Sequence, residues 1–150
     1  MAKELTELET LELHACRGIT KATVSTIAAR SRLLSVLDLS CCPLEMAVDL
    51  ASLAASSCVT DLRVGGCTRL HERALRHAPR GLTALDVAAV GLDDAVAATV
   101  AGRCPRLETL RLAGCPGLTG AGLVEAFRGH PALHTVDATD APRILPADLR

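Results

Sequence analysis

Apolar positions recur along this chain at a fixed spacing. An apolar residue is followed by others three and five positions later, and a cysteine or apolar residue comes eight positions later. The first copy is Leu8, Leu11, Leu13 and Cys16. Five more copies begin near residues 34, 59, 82, 107 and 133, so successive copies lie 26, 25, 23, 25 and 26 residues apart. This regularity predicts a chain built from six repeated units.

Each copy predicts the same succession of elements. Its centre alternates polar and apolar residues, as a strand with one buried face does. A turn follows, and then comes a segment with helical spacing, such as Val24, Ile27 and Ala28. The third unit is the shortest, and its helix is predicted near residues 72–78. We therefore predict one α/β domain over residues 1–150, an arc-shaped solenoid with a parallel sheet on the concave face and helices on the convex face.

The stretch 104–123 carries a resemblance to a known family. It reads Cys-Pro-Arg-Leu-Glu-Thr-Leu-Arg-Leu-Ala-Gly-Cys-Pro-Gly-Leu-Thr-Gly-Ala-Gly-Leu, and residues 11–20 and 37–44 fit the same frame. This pattern resembles the cysteine-containing leucine-rich repeat, which is known from F-box substrate receptors and from antagonist-of-mitotic-exit-like proteins. The resemblance covers residues 5–141. It implies a leucine-rich repeat solenoid that acts as an adaptor or in substrate recognition, linked to ubiquitin ligation. Because the first repeat begins by Leu8, we expect no F-box before it.

The cysteines fit a structural role. Four of the seven occupy the last position of the repeat pattern: Cys16, Cys42, Cys67 and Cys115. A thiol is small, donates weakly and tolerates burial. The alternative is a metal site of Cys67 with His71 and His77, but the ladder positions point inward in separate layers and no C-x-x-C pair occurs. We predict neither metal nor cofactor.

The odd number of cysteines bears on the location of the protein. A chain long enough to build a core does not need disulfides, so we expect reduced thiols. The N-terminus is acidic and lacks the apolar segment of a signal peptide. These features predict a cytoplasmic protein, with an organelle complex as the alternative.

Composition narrows the classes of function. The net charge is −1, and the chain holds one Phe, no Tyr and no Trp, so we expect no nucleic-acid binding. No apolar run reaches the roughly 20 residues of a membrane span. The motif H-E-x-x-H fails because Leu75 stands at its second histidine, and no G-x-S-x-G elbow occurs. We predict a protein that is not an enzyme and takes no small-molecule substrate.

The strand frame predicts which side chains line the concave face. The column between the two inner apolar positions of each strand is charged in every unit: Glu12, Asp38, Arg63, Asp86, Arg111 and Asp137. The column before it adds Asp61. The column after it consists mostly of small side chains, which leave a shallow trough beside the charges. Such charges could merely keep the sheet soluble. We predict instead that they bind a protein of mixed charge, biased to basic.

Two other surfaces are candidates for contact. The third unit carries a basic convex group: Arg69, His71, Arg73, Arg76, His77 and Arg80. The N-terminal layer has no capping helix and is predicted to be open, whereas Ile144, Leu145 and Leu149 of the tail, residues 142–150, could cover the other end. An open end favours a second function, a structural subunit of a large assembly such as a mitochondrial or flagellar complex.

Overall fold

Strands and helices alternate along the chain. The computed structural model describes residues 6–44, 50–56, 58–70, 72–145 and 147. The elements in chain order are β1 (Thr10–Glu12), α1 (Lys21–Arg30), β2 (Val36–Asp38), α2 (Leu50–Ser56), β3 (Asp61–Arg63), α3 (Glu72–Leu75), β4 (Ala84–Asp86), α4 (Asp94–Arg103), β5 (Thr109–Arg111), α5 (Gly120–Phe127) and β6 (Thr135–Asp137).

The strands form one open parallel sheet. Its order is β1-β2-β3-β4-β5-β6, so each strand pairs with its neighbours in sequence. The register aligns the central residue of every strand: Leu11, Leu37, Leu62, Leu85, Leu110 and Val136. Each strand connects to the next through a helix, as parallel pairing requires. The predicted α/β leucine-rich repeat solenoid is confirmed.

The core is a stack of aliphatic layers. Leu37, Leu62 and Leu85 in the inner strands are fully buried, because the next unit covers each of them. The end layers differ. Leu11 is half-buried in the first strand, and Val136 in the last strand is 41% exposed.

The tail covers the last layer in part. Ile144 packs against the core, whereas Leu145 is 58% exposed. Leu149, the third residue of the predicted lid, lies outside the described residues.

Polar caps begin three of the helices. Thr20 and Thr23 form a capping box at α1, and Asp93 accepts from the backbone N–H of Val96 at α4. Thr119, with its neighbour Gly120 at the first position of α5, accepts from the backbone of that helix. These side chains satisfy N–H groups that have no partner within the helix.

The third helix is shorter than expected. We predicted residues 72–78, but α3 ends at Leu75. The N–H groups of His77 and Ala78 bond to the carbonyls of Ala74 and Leu75, three residues back, and so form tight turns. This unit has a period of 23 residues, so the chain has less length in which to return to the sheet.

The cysteine thiols connect consecutive units. The Sγ of Cys42 donates to the carbonyl of Leu13 at 3.0 Å, and the Sγ of Cys67 donates to that of Leu39 at 3.1 Å. Cys115 makes the equivalent bond to Val87 at 3.5 Å. All seven cysteines are free thiols. The thiols of Cys42, Cys67 and Cys115 therefore hydrogen-bond the backbone of the preceding unit.

The described residues contain neither a membrane-spanning helix nor a cluster of metal-binding side chains. No helix within this part of the chain is both long and apolar enough to cross a membrane. No three His, Cys, Asp or Glu side chains in the described ranges are placed to hold a metal ion. His71, which belonged to the alternative metal site, lies outside these ranges.

Candidate protein-binding face

The register of the sheet brings the predicted column together. Residues on either side of each buried central leucine point to the opposite face of the sheet. Strand pairing then sets the six middle-column residues side by side in this order: Glu12, Asp38, Arg63, Asp86, Arg111 and Asp137. Like charges meet at the first two positions, and opposite charges alternate from the second to the sixth. We call this row the charged column.

Arg63 is the most connected member of the charged column. Its Nη2 lies 2.7 Å from Oδ2 of Asp61, and its Nε donates to Oδ1 of the same carboxylate at 3.3 Å. Its Nη1 lies 3.9 Å from Oε1 of Glu12, so the side chain reaches across β2. The hydrogen bond to Asp61 raises the pKa of Arg63 against the opposing effect of burial. The side chain of Arg63 is 32% exposed, and it pairs with two carboxylates of the face, those of Asp61 and Glu12.

Three aspartates of the charged column turn back onto their own strands. Oδ1 of Asp38 accepts from the backbone N–H of Ser40 at 2.7 Å, and Asp86 makes the same bond with Ala88 at 3.0 Å. These bonds orient the carboxylates of alternate units, because a side chain bonded to the N–H two residues on has few rotamers. Sequence reasoning missed this role, although an Asp two residues before a small residue was a visible signal.

Asp137 is held the same way in the sixth unit. It accepts from both the N–H of Thr139 at 3.0 Å and its hydroxyl at 2.6 Å. These two bonds, the hydroxyl first, lower the pKa of Asp137, and the charge of Arg111 lowers it further.

Arg111 is the exposed cation of the charged column. Its strand places it between Asp86 and Asp137. Within the described residues its guanidinium has neither an ion pair nor a hydrogen bond, in contrast to Arg63. The five N–H donors of this guanidinium are therefore free to meet a partner.

A left-handed residue follows the trough in each unit. The φ angles at these positions lie between 54° and 70°: Ala15, Cys41, Gly66, Ala89, Gly114 and Asp140. The two units with arginine in the charged column have glycine here. At Gly65, on the trough floor, an added Cβ would lie 3.0 Å from Oδ1 of Asp86. Because Gly65 has no side chain, the carboxylate of Asp86 can occupy the space above it.

A groove at the C-terminal end was not anticipated. It has a volume of about 550 Å³, and its apolar lining includes Leu123, Phe127, Val136 and Ile144. The groove lies beside α5 and β6, against the last layer of the core.

Comparisons with known proteins support the fold. No protein-family model and no curated protein matches the chain. A chain in the crystal structure of the Rad7 and Elc1 complex in yeast matches with a TM-score of 0.64 and 22% identity, over 85% of this chain and 32% of that one. This chain therefore spans about a third of that neighbour's length. The leucine-rich repeat-containing protein LegL7 from Legionella pneumophila matches with a TM-score of 0.43 and 13% identity, over 93% of this chain and 60% of that one.

Proposed function

We propose that this chain is a non-catalytic protein-interaction module that binds a partner along its concave face, as an adaptor or in substrate recognition. The observation that carries the proposal is the charged column. Six adjacent strands hold ionised side chains in register, three of the carboxylates are oriented by backbone N–H groups, and Arg111 is exposed without an ion pair among the described residues. Groups oriented in advance lose less entropy when a partner binds.

The charges define the partner's chemistry. The charged column and Asp61 together hold five carboxylates and two guanidiniums. A matching segment is therefore rich in Lys and Arg and carries an acidic residue opposite Arg111. The same acidic excess repels phosphates, so the proposal excludes nucleic acid as the partner of this face. The free thiols support a cytoplasmic location.

A link to ubiquitin ligation belongs to this proposal. It rests on the resemblance to the repeats of F-box substrate receptors. The match to a chain of the Rad7 and Elc1 complex adds that a chain of similar fold is found in an assembly with another protein.

Affinity capture with a charge-reversal variant tests the concave face. The tagged chain, its Arg111→Glu variant and a control, Arg17→Glu, are incubated with native extract, and captured proteins are quantified by mass spectrometry. Both arginines are exposed, and both variants change the net charge equally. We expect the main partner to fall at least about tenfold with Arg111→Glu alone. Capture that is equal for all three chains would overturn the proposal, once thermal unfolding shows that each is folded.

The end layers favour a second candidate, a structural subunit held through its ends. Leu11 is only half-buried and Val136 is 41% exposed. A subunit of this kind binds a fixed set of proteins at one-to-one stoichiometry. Leu11→Ser or Val136→Ser would then release them, whereas Arg111→Glu would not. The opposite result supports the adaptor.

A further inference from the structure

Arginines collect where helices return to the sheet in the third and fourth units. Arg76 and Arg80 follow α3, while Arg103 ends α4 and Arg106 follows it. We call these four residues the return-edge patch. Arg80 and Arg106 each come directly after a proline, Pro79 and Pro105, in the loops that lead back to the sheet in consecutive units.

Side-chain contacts hold the two units of the patch together. The Nε of Arg103 donates to the carbonyl of Ala78 at 2.9 Å, and the Sγ of Cys104 donates to that of Pro79 at 3.7 Å. Arg103 thereby lies against the loop that carries Arg80. These contacts join the two loops, whereas the side chains of Arg76, Arg80 and Arg106 are exposed.

The positive charge of the patch is uncompensated. Residues 73–85 and 95–107 contain no Asp or Glu. Arg76, Arg80 and Arg106 are exposed, and within the part of the chain that the structure describes they form no ion pair. Glu108, which follows this stretch, lies 3.8 Å from His134. Neighbouring like charges repel, and an anionic partner would relieve that repulsion.

We propose that the return-edge patch binds an acidic segment of a protein, independently of the concave face. Guanidinium groups pair with carboxylates through two parallel hydrogen bonds, which suits Glu and Asp side chains. A nucleic acid fits less well. The patch spans two units, the concave face carries an acidic excess, and the chain has a single Phe for stacking.

Fluorescence anisotropy with a labelled oligoglutamate tests the patch. The variant Arg76→Glu/Arg80→Glu/Arg106→Glu is compared with Arg17→Glu/Arg32→Glu/Arg143→Glu, which carries the same charge change on exposed sites in the first unit and the tail. Arg103 is left intact because it supports the loop. We expect the patch variant to weaken binding at least about tenfold and the control about twofold or less.

Three results would overturn the proposal. They are the absence of saturable binding at low salt, equal weakening by both triple variants, and tighter patch-dependent binding of duplex DNA than of oligoglutamate. Thermal unfolding checks both variants, and Arg76→Gln/Arg80→Gln/Arg106→Gln replaces the reversal if the latter does not fold. Because neither triple variant changes the charged column, failure here is separate from failure of the concave-face proposal.

Discussion

The carboxylate of Asp94 receives two hydrogen bonds from Thr119. Oδ1 accepts from the backbone N–H and Oδ2 accepts from the hydroxyl, each at 2.8 Å. The Thr119 hydroxyl in turn accepts from the N–H of Gly122 at 3.0 Å. Asp94 begins α4 and Thr119 caps α5, so one carboxylate fixes the capping side chain of the next unit. A Cβ on Gly122 would overlap the Asp94 carboxyl group.

This relationship predicts strong coupling between Asp94 and Gly122. Gly122→Ala alone should lower the free energy of unfolding by about 1–3 kcal/mol, because its methyl group displaces the carboxylate. In an Asp94→Ala background the same change should be neutral or stabilising by up to about 1 kcal/mol, since alanine favours a helix. Urea unfolding of the wild type, both single variants and the double variant measures the coupling. Additive effects would contradict the overlap.

Thiol burial predicts an order of alkylation. Cys41 and Cys58 are exposed, whereas Cys67 and Cys104 are fully buried. The thiolate is the reactive form, and burial raises the pKa of both buried thiols to about 11. A brief reaction with N-ethylmaleimide should therefore modify the exposed pair first.

Peptide mapping by mass spectrometry measures this order. The unfolded chain in guanidinium is the control, in which all seven cysteines should react. If Cys67 reacted as fast as Cys41 in the folded chain, the core layer around Cys67 would be open to solvent.

The same two thiols predict alkaline destabilisation. In the unfolded chain a thiol ionises near its ordinary pKa of 9.0, but folded Cys67 and Cys104 ionise near 11. As pH rises above 9, the unfolded state releases protons that the folded state retains. The free energy of unfolding should fall between pH 9 and about 11, with a slope of roughly 1.4 kcal/mol per pH unit for each thiol.

Urea unfolding at several pH values measures this slope. The chain has no Tyr, so no phenol titrates in the window. Cys67→Ala should be less stable at neutral pH but should lose less stability on alkalinisation. An unchanged slope in Cys67→Ala would assign the effect to other groups.

The fold could be predicted because the repeat pattern itself describes the buried layers. Counting from Leu11 or Leu37 fixes the strand, and the strand fixes the pairing with the next copy. The end of α3 did not follow from the pattern, because a shorter period removes residues without indicating where the helix ends. Its end at Leu75 depends on tertiary packing of the return to the sheet.

The residues of the charged column could also be predicted from the sequence, but their contacts could not. The column followed from alternation alone. Whether Asp38 bonds back to Ser40, or Arg63 reaches Glu12 across β2, depends on rotamers and on the spacing of strands. The sequence already placed Arg76 and Arg80 in a basic convex group. Joining them to Arg103 and Arg106 required the structure, since the contact from Arg103 to Ala78 joins residues 25 apart in sequence. The binding roles of both surfaces remain predictions.

Two of the left-handed positions, Ala89 and Gly114, predict substitutions with opposite effects on stability. Ala89 (φ 54°) and Gly114 (φ 67°) occupy the same point of consecutive units. Their N–H groups make the same kind of bond, to Ala113 at 2.7 Å and to Thr139 at 2.9 Å. The local hydrogen bonding is therefore alike, and the residues differ chiefly in the Cβ atom.

A Cβ in the left-handed region costs about 1–2 kcal/mol, while glycine adds roughly 0.5–1 kcal/mol of entropy to the unfolded chain. Ala89→Gly should therefore stabilise the protein by about 0.5–1 kcal/mol, and Gly114→Ala should destabilise it by a similar amount. Each is measured by urea unfolding against the wild type, and the double variant should return near the wild-type value. If both single variants shifted stability in the same direction, backbone strain would not control these turns, and packing of the methyl group along the concave rim would.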